Sequence, residues 1–485
     1  MSSAELLSLA DTCLLPSFQG HTLPDWMRRR LAGGLGGVVL FAFNIADHDQ
    51  LTRLCADMKS ENPDVLIGVD EEGGDVTRLH VATGSPYPGN LALGVVDDVE
   101  LTRSVAAQIA ADLASVGVNL NLAPDADVNS NPDNPVIGVR AFGAEPKLVA
   151  AHTAAYVDGL QSSRVAACAK HFPGHGDTVV DSHHGLPIVH DDVAALRSGA
   201  LLPFQAAIEA GVASIMTAHL LLPAYDDVPA TVSRRILTGL LRDELGFDGL
   251  IMTDALDMQG VKGLYGIADS GVRALAAGAA ALCGGPEVTD ENTEALRQAI
   301  VAAVAGGRLD EARLAEAAGR VRSLAAWAHP RAGSTGDRSV GLSAARRAIR
   351  ASGVSVLTAP PYVLELEPPW GMAVGPDTVW GLGQVLAGAL PGTEVVRMTG
   401  PPQALAELLG AASGRPLVVV SKDAHRHGWV AQTEAAVVAA RPDAVIVEMG
   451  LPDGVLAAAG PSIATYGAAR ANAVAAAEVL LGRTL

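Results

Sequence analysis

The sequence predicts an α/β protein: a (β/α)8 TIM-type barrel over residues 1–330, a linker at 331–342 and a smaller α/β sandwich-like C-terminal domain at 343–485. Three observations carry this. Short apolar runs recur along the first two-thirds of the chain, segments with helical spacing alternate with them, and the pattern breaks once, near residue 330.

The clearest runs are Gly37–Phe43, Val65–Val69, Asn119–Leu122, Val165–Ala169, Ala213–Thr217, Leu250–Thr253 and Ala279–Cys283, with a weaker one near Thr12–Leu15. Apolar on both faces, they suit buried parallel strands. The intervening Ala/Leu/Arg segments Val99–Ser115, Lys147–Gln161, Asp192–Ala210 and Arg235–Glu244 have helical periodicity. Eight such units in about 330 residues fit a barrel, usually roughly 250 residues plus insertions. A doubly wound sheet of similar length is the competing architecture. The break, His329 to Asp337, has no apolar period and reads as a linker. A helix is expected at Ser343–Ala351, then strands at Val354–Thr358, Tyr362–Leu366, Thr393–Arg397, Leu417–Ser421 and Ala444–Met449. Alanine-rich helices at Pro402–Ala411 and Ala468–Leu481 complete the expected open, mostly parallel sheet domain.

Composition narrows the function. A hydrophobic fraction of 49% excludes general disorder. With 34 Lys and Arg against 53 Asp and Glu, the net charge of −19 argues against nucleic-acid and anionic-membrane partners, since phosphates are repelled. The four cysteines (Cys13, Cys55, Cys168, Cys283) are dispersed without ligand spacing and read as buried, reduced thiols. No signal peptide is encoded, because no Lys or Arg precedes Arg28 and there is no long apolar core. A cytoplasmic, monomeric protein is the expectation.

Barrels carry their chemistry at the carboxyl ends of strands. Those positions hold Asp70, Lys170-His171, His219 and Asp254. The densest stretch runs from Lys170 to Thr178 and on to Asp181-Ser182-His183-His184, with four of the 13 histidines between residues 171 and 184. A carboxylate two residues from a histidine orients its ring and raises its pKa, leaving a group that exchanges protons near neutrality. Asp181 and His183 have that arrangement. Zinc ligation by such histidines is the rival reading, and the adjacent Lys170 cation counts against it. Asp254, directly after a buried strand, suits a nucleophile or a stabiliser of a cation, whereas Asp257 is expected to cap the following helix. In Asp70-Glu71-Glu72-Gly73-Gly74-Asp75-Val76-Thr77-Arg78, Asp70 can accept and Arg78 donate hydrogen bonds to ligand hydroxyls. The paired glycines are not a dinucleotide fingerprint. Arg140, after Asn134-Pro135-Val136-Ile137-Gly138, is either a structural ion pair or a substrate clamp. The stretch Lys422–Trp429 follows a strand and offers a possible second ligand loop, with packing or solvent exposure as the plainer alternative.

Together these clusters resemble the β-N-acetylhexosaminidases of glycoside hydrolase family 3. The matching motifs are Asp70–Gly74 with Arg78, Asn134–Gly138 with Arg140–Gly143, Lys170–Thr178 with Asp181-Ser182-His183, and Thr253-Asp254-Ala255-Leu256. The resemblance implies a retaining hydrolase of terminal β-linked N-acetylglucosamine, without cofactor or metal, acting on a small carbohydrate such as a muropeptide or chitin fragment. It implies Asp254 as nucleophile, His183 oriented by Asp181 as acid/base, and Asp70, Arg78, Arg140, Lys170 and His171 as sugar-binding residues. The β-glucosidases of the family take their acid/base from a carboxylate in the second domain, so the Asp-Ser-His loop points to the N-acetylglucosamine branch. Ala279-Ala280-Ala281 departs from the pattern, since such enzymes often carry an Asp after the last strand's small residues. A phosphorylase on the same residues, a β-glucosidase, a metal-dependent hydrolase using His171, His175 and His183, and a non-catalytic sugar-binding protein are the alternatives. An aromatic content of 4% favours short oligosaccharides over a polymer-stacking surface.

Overall fold

The computed structural model describes residues 1–485 except 184, 331–338, 376, 453 and 458–459, so most of the expected linker lies outside the described residues. The chain forms two compact units. The first comprises Met1–Glu72, Thr102–Ile137 and Gly143–Gly336; the second comprises Gly73–Leu101, Gly138–Phe142 and Asp337–Leu485. Two excursions from the N-terminal part of the sequence, 73–101 and 138–142, therefore group with the C-terminal stretch.

Among the described residues the first unit contains eight strands: β1 (Leu14–Leu15), β2 (Gly37–Leu40), β3 (Leu66–Val69), β4 (Leu120–Asn121), β5 (Ala166–Phe172), β6 (Ser214–Thr217), β7 (Leu250–Thr253) and β8 (Leu282–Cys283). Strands β2 to β7 form one parallel sheet in sequence order, and β1 pairs with β8, also in parallel. Val39 N–H donates to Pro16 O and Thr253 N–H to Ala281 O, each at 3.0 Å, beside β1 and β8. Val38, Val39, Leu66, Ile67, Ile215 and Ile251 are all buried, which is why these strands read as unbroken apolar runs. Most strands are shorter than the apolar runs; β7 coincides with its run, and β5 extends through Lys170 and His171 rather than ending before them.

Helices follow the periodic segments, with two differences. The helix expected over Asp192–Ala210 is two, Val193–Ser198 and Leu202–Glu209. Pro203 sits in the first turn of the second, and its ring excludes a continuous helix through Gly199. The segment Arg235–Glu244 winds as a π-helix rather than an α-helix. No described helix is long and apolar enough to cross a membrane.

The second unit holds β9 (Arg350–Ser352), β10 (Tyr362–Leu366), β11 (Glu394–Met398), β12 (Leu417–Ser421), β13 (Val445–Glu448) and β14 (Ser462–Ala464). Their order is β11-β10-β12-β13-β14-β9, parallel except for β9, which runs antiparallel to β14. Val363, Val418, Val420 and Val447 face a core with Leu386 and Leu480, while Leu364, Val419 and Ile446 face one with Val430 and Val437. That period-2 division gives the sheet an apolar layer on each face. The strand expected at Val354–Thr358 is absent. Val356 is 53% exposed and Leu357 N–H donates to Leu480 O, so this backbone is satisfied at a helix end and the edge strand forms earlier, at Arg350–Ser352. The helix before it spans Ser339–Ala348. Arg347 pairs with Asp98 at 2.8 Å, one of the ties holding the 73–101 excursion within this unit.

Candidate active site

In the first unit Asp70, Lys170, His171 and Asp254 lie at or directly after the carboxyl ends of β3, β5 and β7. Asp70 follows β3, and Lys170 Nζ lies 2.6 Å from its Oδ1 and 2.8 Å from Glu72 Oε1. One buried ammonium thus orients two carboxylates, an arrangement suited to presenting Asp70 to a hydroxyl-bearing ligand. The neighbouring loop is fastened by Asn121, whose side chain exchanges hydrogen bonds with the Glu71 backbone at 3.0 and 2.8 Å.

His171 Nδ1 lies 2.7 Å from Asp127 Oδ2, so Nδ1 carries a proton toward the carboxylate. The other Asp127 oxygen accepts the His175 N–H at 2.6 Å. Burial pushes the Asp127 carboxyl up, but His171 and His175 together outweigh it and hold the group below the ordinary aspartate range. Asp127 was not singled out from sequence, although it stands six residues after β4 and obeys the same strand-end rule.

The histidine loop is anchored from several sides. Asn134 Nδ2 donates to the carbonyls of His175 and Gly176 at 2.8 and 3.1 Å, while its Oδ1 accepts from the Val136 and Ile137 N–H groups. A Cβ on Gly176 would lie 1.7 Å from Val128 O, so only glycine fits there. The buried His175 ring meets Thr178 Oγ1 at 2.8 Å through Nδ1 and Ser182 Oγ at 3.1 Å through Nε2; burial lowers its pKa. The Ser182 carbonyl in turn accepts from Gly260 N–H at 3.1 Å. A Cβ on Gly260 would sit 3.1 Å from Gly185 O and 3.1 Å from His219 Cβ, so that approach needs a small residue. Between these anchors His183 Nδ1 lies 2.6 Å from Asp181 Oδ1, which also accepts the His183 N–H at 2.9 Å. Both side chains are partly buried. The Asp181 carboxylate therefore selects a protonated Nδ1 and leaves Nε2 as the reactive nitrogen.

Asp254 follows β7 and is partly buried, its Oδ1 accepting the Ala255 N–H at 2.7 Å. Burial pushes its carboxyl up, yet the imidazoles of His219, His171 and His183, with that N–H, hold it below the ordinary aspartate range. Buried His219 donates from Nε2 to Ala255 O at 2.9 Å and meets Thr231 Oγ1 at 2.7 Å through Nδ1. Its own pKa is lowered by burial, against the raising effect of Asp254. Asp257 is not a helix cap. Its two oxygens accept from Gly285 N–H at 3.0 Å and Glu287 N–H at 2.9 Å, tying down the segment after β8.

Arg78 and Arg140 belong to the second unit. Arg78 Nη2 donates to Ala373 O at 2.8 Å. Arg140 is buried in a 3-10 turn whose carbonyl accepts from Asn90 Nδ2 at 2.7 Å. In the Lys422–Trp429 stretch the plainer, packed alternative describes these two residues: Lys422 pairs with Asp75, and Trp429 packs against the core containing Leu364 and Val430.

For a metal, the described residues whose ligand atoms lie within 4.8 Å of one another are Asp125, Asp127 and His171. The trio His171, His175 and His183 does not form such a group among them. His171 and Asp127 are already hydrogen-bonded to each other, and Asp125 Oδ1 accepts the Asp127 N–H at 3.0 Å.

Residues 26–324 match the model described as the glycosyl hydrolase family 3 N terminal domain. Beta-hexosaminidase A of Pseudoalteromonas piscicida is 40% identical over 268 residues, covering 50% of this chain and 44% of that protein, so the chain spans less than half of that relative. Beta-hexosaminidase of Thiobacillus denitrificans is 38% identical over 288 residues, covering 57% of this chain and 80% of its own. A solved glycoside hydrolase family 3 beta-N-acetylglucosaminidase from Paenibacillus sp. superposes with a TM-score of 0.89 at 32% identity, covering 99% of this chain and 97% of that one.

Proposed function

The chain belongs to glycosyl hydrolase family 3, and on that footing we propose that it is a retaining exo-β-N-acetylglucosaminidase acting on short oligosaccharides. The observation that carries this reading is the Asp181–His183 pair at 2.6 Å, in the electrostatic neighbourhood of an Asp254 held ionised. An oxocarbenium-like transition state calls for an anion beneath C1 and a proton donor at the leaving oxygen.

In this reading Asp254 attacks C1 while His183 Nε2 gives its proton to the departing oxygen, breaking the glycosidic bond and leaving a covalent glycosyl-enzyme. His183 then takes a proton from water, the oxygen attacks C1, and the bond to Asp254 breaks. Two inversions return the β configuration. Asp181 stabilises the imidazolium that the first step requires. By family likeness Asp70, Arg78, Arg140, Lys170 and His171 bind the sugar, the Lys170 contacts to Asp70 and Glu72 favouring that role for Asp70.

The β1–β8 pairing, with hydrogen bonds on both flanks, supports a closed (β/α)8 barrel at 1–330, with 343–485 as the smaller domain. Four buried, dispersed cysteines favour a cytoplasmic setting, and muropeptide or chitin fragments are the proposed substrates. A histidine donor, neutral once deprotonated, repels an incoming anion less than a carboxylate does, so phosphate is the second acceptor to test.

Product analysis on an aryl β-N-acetylglucosaminide, with and without phosphate, tests the proposal. Free β-N-acetylglucosamine is expected in both samples. A sugar 1-phosphate would replace the hydrolase by a phosphorylase, and absence of product would overturn both.

A further inference from the structure

Asp75 and Lys422, 347 positions apart in sequence, form a buried ion pair within the second unit. Lys422 Nζ meets Asp75 Oδ2, while Asp75 Oδ1 accepts the Ala468 N–H at 2.7 Å. The ammonium also lies 5.2 Å from the centroid of the Trp370 ring. Burial alone would drive its proton off, but Asp75, with Asp423 and Glu448, outweighs that and keeps it charged. Three residues beyond Asp75, Arg78 donates to Ala373 O at 2.8 Å. Gly73 and Val76 close an antiparallel bridge, so residues 73–78 form a tight loop gripped at both Asp75 and Arg78 by the C-terminal stretch. A planar guanidinium clamps a ligand only when its plane is held.

We infer that Lys422 is a positioning residue for Arg78: by holding Asp75 it fixes the loop that presents the Arg78 guanidinium, so the C-terminal stretch contributes to sugar affinity through Arg78. This rests on the reading of Arg78 as a sugar contact. Ion pairs buried this far are costly to half-remove, since the remaining charge is stranded. The informative variant is therefore the neutral pair Asp75→Asn/Lys422→Met, alongside Lys422→Met and Lys422→Arg.

Steady-state kinetics on an aryl β-N-acetylglucosaminide give the test, with folding checked by circular dichroism and thermal melting. Arg78→Ala should raise KM about tenfold with kcat within about twofold. The neutral pair should reproduce that KM rise, Lys422→Arg should restore KM, and adding Arg78→Ala to the neutral pair should raise KM no further. A folded neutral pair with unaltered KM, while Arg78→Ala raises it, overturns the positioning role. Fully additive effects overturn it too. An unaltered KM in Arg78→Ala overturns the sugar-contact reading itself, leaving Lys422 nothing to position. If neither Lys422→Met nor the neutral pair folds, Lys422→Arg decides, because KM must then track how well its longer side chain still grips Asp75.

Discussion

At residue scale, chemistry rests on which side chains hold charge. Asp254 is kept ionised by surrounding imidazoles against its own burial, so Asp254→Ala should cut turnover by at least about a thousandfold with the fold intact. Measured kcat together with a thermal melt checks this, and substantial residual turnover removes Asp254 from the nucleophile role. His183→Ala should cost natural oligosaccharides about 10²–10⁴-fold in kcat, because their leaving oxygens need a proton. Activated aryl glycosides should lose much less. Equal losses on the two substrates would count against His183 as the acid. Asp127 and Ser182 show how much support such residues require: one carboxylate orients His171 and pins the His175 backbone, and one hydroxyl and carbonyl anchor the segment carrying His183.

At the scale of elements, strand ends place the chemistry and also store ionisable groups. Glu448, at the end of β13, is buried and accepts from Asp423 N–H at 2.8 Å and Gly450 N–H at 2.6 Å. Burial, with Asp423 and Glu434 nearby, raises its pKa from 4.5 to about 8. The folded state therefore binds a proton that the unfolded chain releases between those values. Its stability contribution is fully present below pH 4.5 and is lost as pH rises through about 8. Glu448→Gln should flatten that part of the melting temperature–pH profile and melt higher than the parent near pH 8. Identical slopes in the two proteins would place the titration elsewhere.

For the whole molecule the dominant quantity is a net charge of −19. Exposed charges act over a Debye length of about 10 Å at 0.1 M salt, so an anionic substrate is repelled on approach and salt should relieve the repulsion. KM for an N-acetylglucosaminide with an anionic aglycone should fall between low and moderate ionic strength, while KM for a neutral disaccharide stays level. Equal salt responses would show that the field at the site differs in sign from the molecule's total.

Sequence by itself determined the α/β class, the strand-end positions of Asp70 and Asp254, the pairing of Asp181 with His183, and the family. The reason is locality: apolar runs, a two-residue Asp–His spacing and a carboxylate directly after a strand are short-range patterns. Tertiary structure decided the rest. Asp257 reads locally as a cap, but its oxygens are taken by Gly285 and Glu287, about thirty positions away. Asp127 gained its role only when β4 and β5 paired and brought His171 beside it. Residues 73–101 sit in the N-terminal part of the chain yet group with the C-terminal stretch, tied by Asp75 to Lys422 and by Asp98 to Arg347. Such partners are hundreds of positions apart, and an isolated Lys or Asp carries no mark of which opposite charge will meet it once the chain is packed.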